Sequence, residues 1–504
     1  MELKLTRQPL FINETLLDTT VEQPIECDAL LPDYCPDIVR ILKCTTTVVV
    51  TSRKLTAARV EVEGMAAITV LYASGRDGMA RAEYKVPFAK SVDLKGDAEG
   101  ANLTVKARPD YVNCRAVNQR RLDIRGAIVL SIKVTQTREE QVIADGEGGG
   151  LQLRQEPCKG TRTLGQSTKE SRVTETLELA YGKPPIQTIL RCCGTPRVLE
   201  TKVVGGKAVV RGELSVRVLY CSTQNTYEQM DYTIPTSVVV ELEGLDEDCL
   251  CDVTQELLSL TLEPGADGAG EYRNIALDGM LQVTVTGYRS YDAQVCSDCY
   301  STRYPCTFRT RQLPVQRVDH LAREPFSQKE TLSMPENVES VLDLWCDVAG
   351  TNARPDPTGG LMVEARLAVT MLARMGDGEL YCFDKLLELR HPVAVEEGMT
   401  LEPRLTVLAC AFAFTGGDSM EVRCDLLLEG TVYTINRVAL IEEVAVDERH
   451  PKTDLASPGL YIYMADPGET TWEIAKRYNT DPQRIGEENP EQEEAGRRIL
   501  LIPV

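Results

Sequence analysis

The chain has 504 residues, of which 43% are hydrophobic, and a formal net charge of −21 at pH 7. That length exceeds what one hydrophobic core normally serves, so we expect several domains. An acidic surface repels phosphate backbones and anionic lipid headgroups, so nucleic acid is not an expected partner. No apolar run reaches the ~20 residues that a transmembrane helix needs.

The N-terminal segment, residues 1–10, contains charged residues and lacks the apolar stretch of a secretory signal. We therefore expect a cytoplasmic protein. In that compartment the 17 cysteines of the chain would be reduced thiols rather than disulfides.

Three segments share an alternating pattern of apolar and polar residues. They cover residues 60–72, 208–220 and 361–373, and the first two are offset by 148 residues. A period of two with one polar face predicts a half-buried antiparallel strand. Gly64 and Gly212 occupy the same position in the first two segments, and Ala365 takes that position in the third.

A proline-led motif precedes each segment, and a second alternating strand follows it. The motif is Pro36-Asp-Ile-Val-Arg-Ile-Leu42 in the first copy, Pro184-Pro-Ile-Gln-Thr-Ile-Leu190 in the second, and looser over 334–342 in the third. Apolar residues three or four apart after a proline predict a short helical turn. In the later strands, Gly126 and Gly279 predict a bulge or a close approach of two backbones.

Together these elements predict a mainly β fold with three tandem units. The units cover residues 20–140, 165–295 and 325–447, and each is expected to be an antiparallel sandwich or a partly open barrel. Linkers are predicted in the polar, Gly-rich run from Asp145 to about Arg172 and at Pro451–Gly459, with an irregular join at Cys296–Cys306.

The last stretch, residues 459–504, has a different pattern. The predicted elements are a strand at 461–463, a helix starting after Thr470, a helix starting after Asp481, and a strand at 499–502. Thr470 and Glu473 form a capping box, and Asp481 stands before Pro482 as a second N-cap. The predicted order is therefore β-α-α-β. The module is close to the lower size limit of a domain that folds without disulfides or a structural metal.

Residues that would indicate catalysis or a metal are sparse. Only three histidines occur, none in a metal or triad pattern, and no phosphate-binding loop motif is present. Cys296-Ser-Asp-Cys299, with Cys306 nearby, has half of a zinc spacing, but the second pair of ligands is missing. We expect no catalytic residues, no cofactor and no metal, with reduced thiols favoured over zinc or a disulfide at this cluster.

The module at 459–504 resembles a LysM domain. The matching residues are Gly468-Glu-Thr-Thr-Trp472, Ile474-Ala475, Asn489 and Ile502-Pro503, although Glu469 and Thr471 replace the usual Asp and Leu. The resemblance implies binding of N-acetylglucosamine polymers in a groove between two loops. The implied groove residues are Asp466, Pro467, Gly468, Glu469, Thr470, Trp472, Asn489, Pro490 and Glu491. Because these loops are acidic, they suit a basic protein partner better than a neutral sugar.

The apolar helical stripe of the module leaves two interpretations open for its tryptophan. Ile474 is expected to face the core. Trp472 is either core or part of an interface, because a tryptophan in so small a domain is rarely fully buried.

The three units resemble the SPOCS domain, on the proline-led motif and the Gly-x-x-x-Ile-x-Val-Leu-Tyr strand, with the third unit most divergent. SPOCS repeats followed by a LysM domain are similar to the SipL-like family of spore-coat morphogenesis proteins. This resemblance implies a non-catalytic scaffold in the mother-cell cytoplasm, at the forespore surface and spore coat, which meets other coat proteins and docks through its LysM domain onto the coat ATPase SpoIVA. The alternative is a protein that uses the LysM domain on peptidoglycan of the cell wall or spore cortex.

Overall fold

The computed structural model describes residues 3–75, 78–96, 98–416, 419–452, 459–490 and 498–503. In these ranges the chain forms antiparallel β-sheets and two short helices, which confirms the predicted mainly β class. Neither helix has the length and apolar character needed to cross a lipid bilayer.

The first six strands form two three-stranded sheets. They are β1 (Lys4–Leu30), β2 (Arg40–Leu55), β3 (Arg59–Ala73), β4 (Met79–Asp93), β5 (Asn102–Asn118) and β6 (Arg121–Glu147). One sheet has the order β1-β6-β5 and the other β2-β3-β4. The sheets share one core, in which Val62 and Ile68 of β3 pack with Ile124 and Leu130 of β6. We call these six strands unit 1.

The next twelve strands repeat this order twice. Unit 2 consists of β7 (Leu151–Glu178), β8 (Ile186–Val204), β9 (Lys207–Ser222), β10 (Tyr227–Glu241), β11 (Leu250–Ala266) and β12 (Tyr272–Ser301). Unit 3 consists of β13 (Cys306–Ser333), β14 (Val338–Pro355), β15 (Leu361–Met375), β16 (Leu380–Val393), β17 (Thr400–Gly416) and β18 (Ser419–Val446). Their sheets have the orders β7-β12-β11, β8-β9-β10, β13-β18-β17 and β14-β15-β16.

The linker between units 1 and 2 is much shorter in the structure than the sequence predicts. Polar residues 151–172 belong to β7, which pairs with β12 along its length. The prediction was wrong because β7 lies at the edge of its sheet, where polar side chains can face solvent without the alternating apolar pattern. The true turn is Gly148 to Gly150, where all three glycines have positive φ. The predicted join at Cys296–Cys306 is also mostly strand, since β12 continues to Ser301.

None of the proline-led motifs contains a helical turn, so that prediction was wrong; the third has a tight turn at 336–337, whereas the first two are extended. Their proline carbonyls accept hydrogen bonds from buried tyrosines of the following strand: Tyr72 Oη donates to Pro36 O at 3.0 Å, and Tyr220 Oη donates to Pro184 O at 3.1 Å. In a helix, this carbonyl would accept a hydrogen bond from the amide four residues later. Here it accepts from a tyrosine hydroxyl in the core instead. The motif therefore ties the start of β2 to β3 in unit 1 and the start of β8 to β9 in unit 2.

Each unit contacts both of the others. Arg40 of unit 1 lies 2.8 Å from Glu379 of unit 3, and Arg53 of unit 1 donates to Gln282 of unit 2 at 2.6 Å. Two apolar clusters draw side chains from all three units, one around Leu10, Cys158 and Leu313 and the other around Leu71, Leu219 and Trp345. A polar chamber of about 900 Å³, also lined by all three units, lies among the sheets. The units therefore pack as one body.

Several strand glycines lie where two backbones approach closely. A Cβ added at Gly126 would lie 2.5 Å from the carbonyl oxygen of Tyr111, which confirms the predicted close approach. At Gly212 it would lie 2.6 Å from the carbonyl oxygen of Arg197. At Gly279 the nearest atom, the carbonyl oxygen of Ser259, is 3.5 Å away, an ordinary contact beside a register shift between Leu257 and Ser259.

We expect Gly212→Ala to destabilise unit 2 by about 1–3 kcal/mol, because backbone atoms cannot move aside as a side chain can. Gly279→Ala is the matched control in the same unit, since its Cβ has room and alanine restricts the unfolded chain. Differential scanning calorimetry of both variants measures the effect. Equal shifts in the unfolding midpoint would contradict the explanation.

Candidate functional site

The C-terminal module has the element order that the sequence predicts. It consists of β19 (Leu460–Ala465), α1 (Thr471–Tyr478), α2 (Pro482–Glu488) and β20 (Arg498–Pro503). The two strands pair antiparallel, with Leu460 opposite Pro503 and Ala465 opposite Arg498. Both helices lie on one side of this sheet, where Ile474, as predicted, is fully buried.

Local hydrogen bonds fix both helix starts. The Thr470 hydroxyl accepts from the Glu473 amide at 3.2 Å, and the Glu473 carboxylate accepts from the Thr470 amide at 3.0 Å, which completes the predicted capping box. The Thr470 amide and hydroxyl also hold the pKa of Glu473 below its usual value. At α2, Asp481 Oδ1 accepts from the Gln483 amide at 2.9 Å, as predicted for an N-cap.

Most polar side chains of the implied groove are used to build the module. Glu469 accepts from the Tyr463 hydroxyl at 2.9 Å and pairs with Arg477 at 2.6 Å. Asn489 joins α2 to β20, because its amide donates to Leu501 O at 2.8 Å and accepts from Leu501 N at 2.9 Å. Thr470 is the helix cap. These three residues therefore have structural partners inside the module.

Besides Trp472, five residues of the implied groove remain. Asp466, Pro467, Gly468 and Pro490 are exposed on the loops. Gly468 has a φ of 85°, a left-handed conformation that favours glycine in the turn before α1. Glu491, also predicted for the groove, lies outside the residues that the structure describes.

Trp472 is partly buried at the edge of the module core and also packs against the body of the protein. Its Nε1 donates to Asp298 Oδ2 at 2.8 Å, and its ring meets that of Tyr300 edge-on with centroids 5.0 Å apart. Lys476, one turn further along α1, lies 2.7 Å from Asp298. The buried Tyr300 donates its hydroxyl to Thr480 O at 2.7 Å. This face of α1 is thus a docking contact with β12 of unit 2.

Asp298 is the centre of that contact. Burial alone would raise the pKa of its carboxyl, but the hydrogen bonds from Lys476 and Trp472 outweigh burial and lower the pKa. The carboxylate therefore stays ionised although it is partly buried. No local pattern in the sequence indicates this role, because Asp298 lies 174 residues before Trp472 and stands within the Cys296–Cys299 motif of a possible zinc site.

The neighbouring cysteines are free thiols in the structure. Cys299 Sγ lies 3.7 Å from Cys306 Sγ, and Cys296 is buried in the same apolar cluster. Across the described ranges, no three histidine, cysteine or acidic side chains are grouped so as to hold a metal ion.

Comparison with known families identifies two parts of the chain. Residues 37–117 and 185–263 match the family model described as SipL, SPOCS domain. The first match runs from the proline-led motif through β2, β3 and β4 into β5, and the second covers the equivalent part of unit 2. No curated protein and no solved structure matches the chain. These two matches support a SipL-like protein with a role related to sporulation.

Proposed function

We propose that the protein is a non-catalytic scaffold of endospore coat assembly, and that its C-terminal module is a LysM domain that docks onto the coat ATPase SpoIVA. Unit 3, which has the same strand order as the two matched SPOCS units, is a divergent member of the same set. The scaffold acts in the mother-cell cytoplasm at the forespore surface. The observation that carries the proposal is the pair of SPOCS matches followed by a β-α-α-β module.

The groove geometry supports a protein partner over a glycan. Sugar recognition in proteins uses exposed aromatic faces for stacking and free amides for hydrogen bonds. Among the described groove residues, the aromatic Trp472 packs on Tyr300, and the amide of Asn489 is occupied by Leu501. The module also has nine acidic against five basic residues over 459–504, which favours a basic protein surface.

The test is binding of the full chain to purified SpoIVA and, separately, to purified peptidoglycan. We expect the chain to bind SpoIVA and to stay in solution when peptidoglycan is sedimented. The matched control is a chain that stops after Lys452, which keeps all three units and should lose SpoIVA binding without a change in its β-type circular dichroism. A full chain that sedimented with peptidoglycan and ignored SpoIVA would contradict the proposal.

A further inference from the structure

The polar chamber among the sheets is built from equivalent strands of the three units. The outer strand of one sheet in each unit lines it, with residues 102–108 of β5, 254–258 of β11 and 402–405 of β17. Its volume of about 900 Å³ is within the range of small-molecule binding sites. Because all three units contribute walls, the chamber exists only in the packed body, and no single unit contains it.

The charge of the chamber wall differs from that of the chain. Its lining has five basic and four acidic residues, whereas the whole chain has a net charge of −21. Each of the four lining carboxylates is already paired with a basic side chain, and four of the five lining bases are paired with an acidic one. The pairs are Glu14 with Arg138, Asp252 with Arg404, Glu256 with Arg53, Glu402 with Lys133, and Arg108 with Asp110.

Lys106 is the basic residue of the lining that these pairs omit. Its ammonium makes no hydrogen bond and no ion pair with any residue that the structure describes. Burial and the positive charge of Arg404 lower the pKa of Lys106, although water still fits beside its side chain. Asp252 and Glu402 oppose this effect only through space, since each is bonded to another cation. The chamber therefore contains a cation that faces its interior without a bonded counter-ion.

The wall around Lys106 offers hydrogen-bonding groups as well as charge. The register of β5 and β6 places Lys106 opposite Ser131 and Thr104 opposite Lys133, so these four side chains share one face of the sheet. Threonine is the commonest residue of the lining, with eleven positions. The hydroxyls of Thr104 and Thr254 form no hydrogen bond with a described residue. Such a wall suits a ligand that carries oxygen atoms or hydroxyl groups over most of its surface.

We propose that the chamber binds a small hydroxylated anion, with its carboxylate or phosphate group on the Lys106 ammonium and its hydroxyl groups on the threonine-rich wall. A partly buried charge is stabilised by an opposite charge with hydrogen bonds, which such a ligand supplies to Lys106. Since the ligand touches strands of all three units, its binding stabilises their packing. The proposal does not depend on the docking of the C-terminal module, because the chamber lies within the three units.

Isothermal titration calorimetry of the full chain with four probes tests the proposal. The probes are glucose 6-phosphate, glucuronate, glucose and inorganic phosphate, of which the first two combine an anionic group with hydroxyl groups. We expect at least one of these two to bind tenfold or more tightly than glucose and than inorganic phosphate. The same compound should raise the thermal midpoint of unfolding. Comparison of the first two probes shows whether the anionic group is a phosphate or a carboxylate.

Variants of the full chain locate the site of binding. Lys106→Met removes the charge and should weaken binding at least tenfold, the loss of one charge-assisted hydrogen bond. Lys85→Met is the matched control, since Lys85 is an exposed lysine of β4 in the same unit and lies outside the chamber lining, and it should leave the affinity unchanged. Thr104→Val removes only a hydroxyl beside Lys106 and should weaken binding about threefold or more. It keeps the test decisive if the Lys106 variant does not fold.

Four results would overturn the inference. They are no binding of any probe, binding of glucose as tight as that of the two sugar anions, binding of inorganic phosphate as tight as that of glucose 6-phosphate, and equal affinities of Lys106→Met and Lys85→Met. The third would indicate an adventitious ion only. The proposed function would stand in each case, because it places the SpoIVA contact in the C-terminal module.

Discussion

Replacing Arg191 with leucine is expected to destabilise the packed body by about 3–5 kcal/mol. Arg191 of unit 2 lies 3.1 Å from Asp343 of unit 3, whose side chain is fully buried. Its guanidinium also lies over the ring of Trp345, 4.1 Å from the centroid. The variant removes the cation that is bonded to a buried carboxylate. Arg217 then acts on Asp343 only through space, and Gln229, which donates to Asp343 at 2.9 Å, supplies no charge.

The matched control is Arg172→Leu. Arg172 pairs with Asp278 at 2.7 Å, but both side chains are largely exposed, so water screens this pair and its loss should change stability little. Thermal unfolding is followed by calorimetry and by the fluorescence of Trp345 in a Trp472→Phe background. Because Trp345 lies in the contact between units 2 and 3, its signal should move first in Arg191→Leu. Similar midpoints for the two variants would contradict the assignment.

The cost of Arg191→Leu should also depend on pH. Burial raises the pKa of Asp343 despite the opposing effects of Arg191 and Arg217. A carboxyl with a raised pKa in the folded state favours folding below its unfolded pKa and loses that contribution as pH rises through the folded pKa. We therefore expect the difference between Arg191→Leu and the wild type to shrink as the pH is lowered towards 4.

The elements that the sequence predicts correctly are set by interactions between near neighbours. The alternation at 60–72 and 208–220 gives β3 and β9, because one apolar face must be buried. The caps at Thr470 and Asp481 form because each bonds an amide only two or three residues away. The proline-led motifs fail as predicted helical turns because their carbonyls bind Tyr72 and Tyr220, 36 residues away.

The candidate site was predicted less completely for the same physical reason. Trp472 is visible in the sequence as a residue that is either core or interface, but its partners Asp298 and Tyr300 lie in another unit. The exposed apolar side chains of β19, in contrast, have a local signal. Residues 460 to 465 are apolar on both faces of β19, whereas a sheet covered on one side needs only one.

Asp298→Ala is expected to release the module from the body. The variant removes the hydrogen bonds of Trp472 and Lys476 to one partly buried carboxylate, a loss of about 2–4 kcal/mol after allowance for the partial exposure of Lys476. In a Trp345→Phe background, the emission of Trp472 should shift to the red as its indole meets water. Amide exchange in α1 should also become faster, because fewer contacts, among them those of Tyr300 with Thr480 and of Lys452 with Asn479, would hold the module.

The same contact should fail on acidification of the wild type. Because the pKa of Asp298 is below its ordinary value of 3.8, the carboxylate stabilises docking above that value, and this contribution is lost as pH falls through the lowered pKa. Asp292→Ala is the matched control, since Asp292 is exposed on the same strand β12 and lies away from the module. If Asp298→Ala and Asp292→Ala both keep the wild-type emission and exchange rates, Asp298 does not hold the module, and the apolar packing of Tyr300 against Trp472 is sufficient.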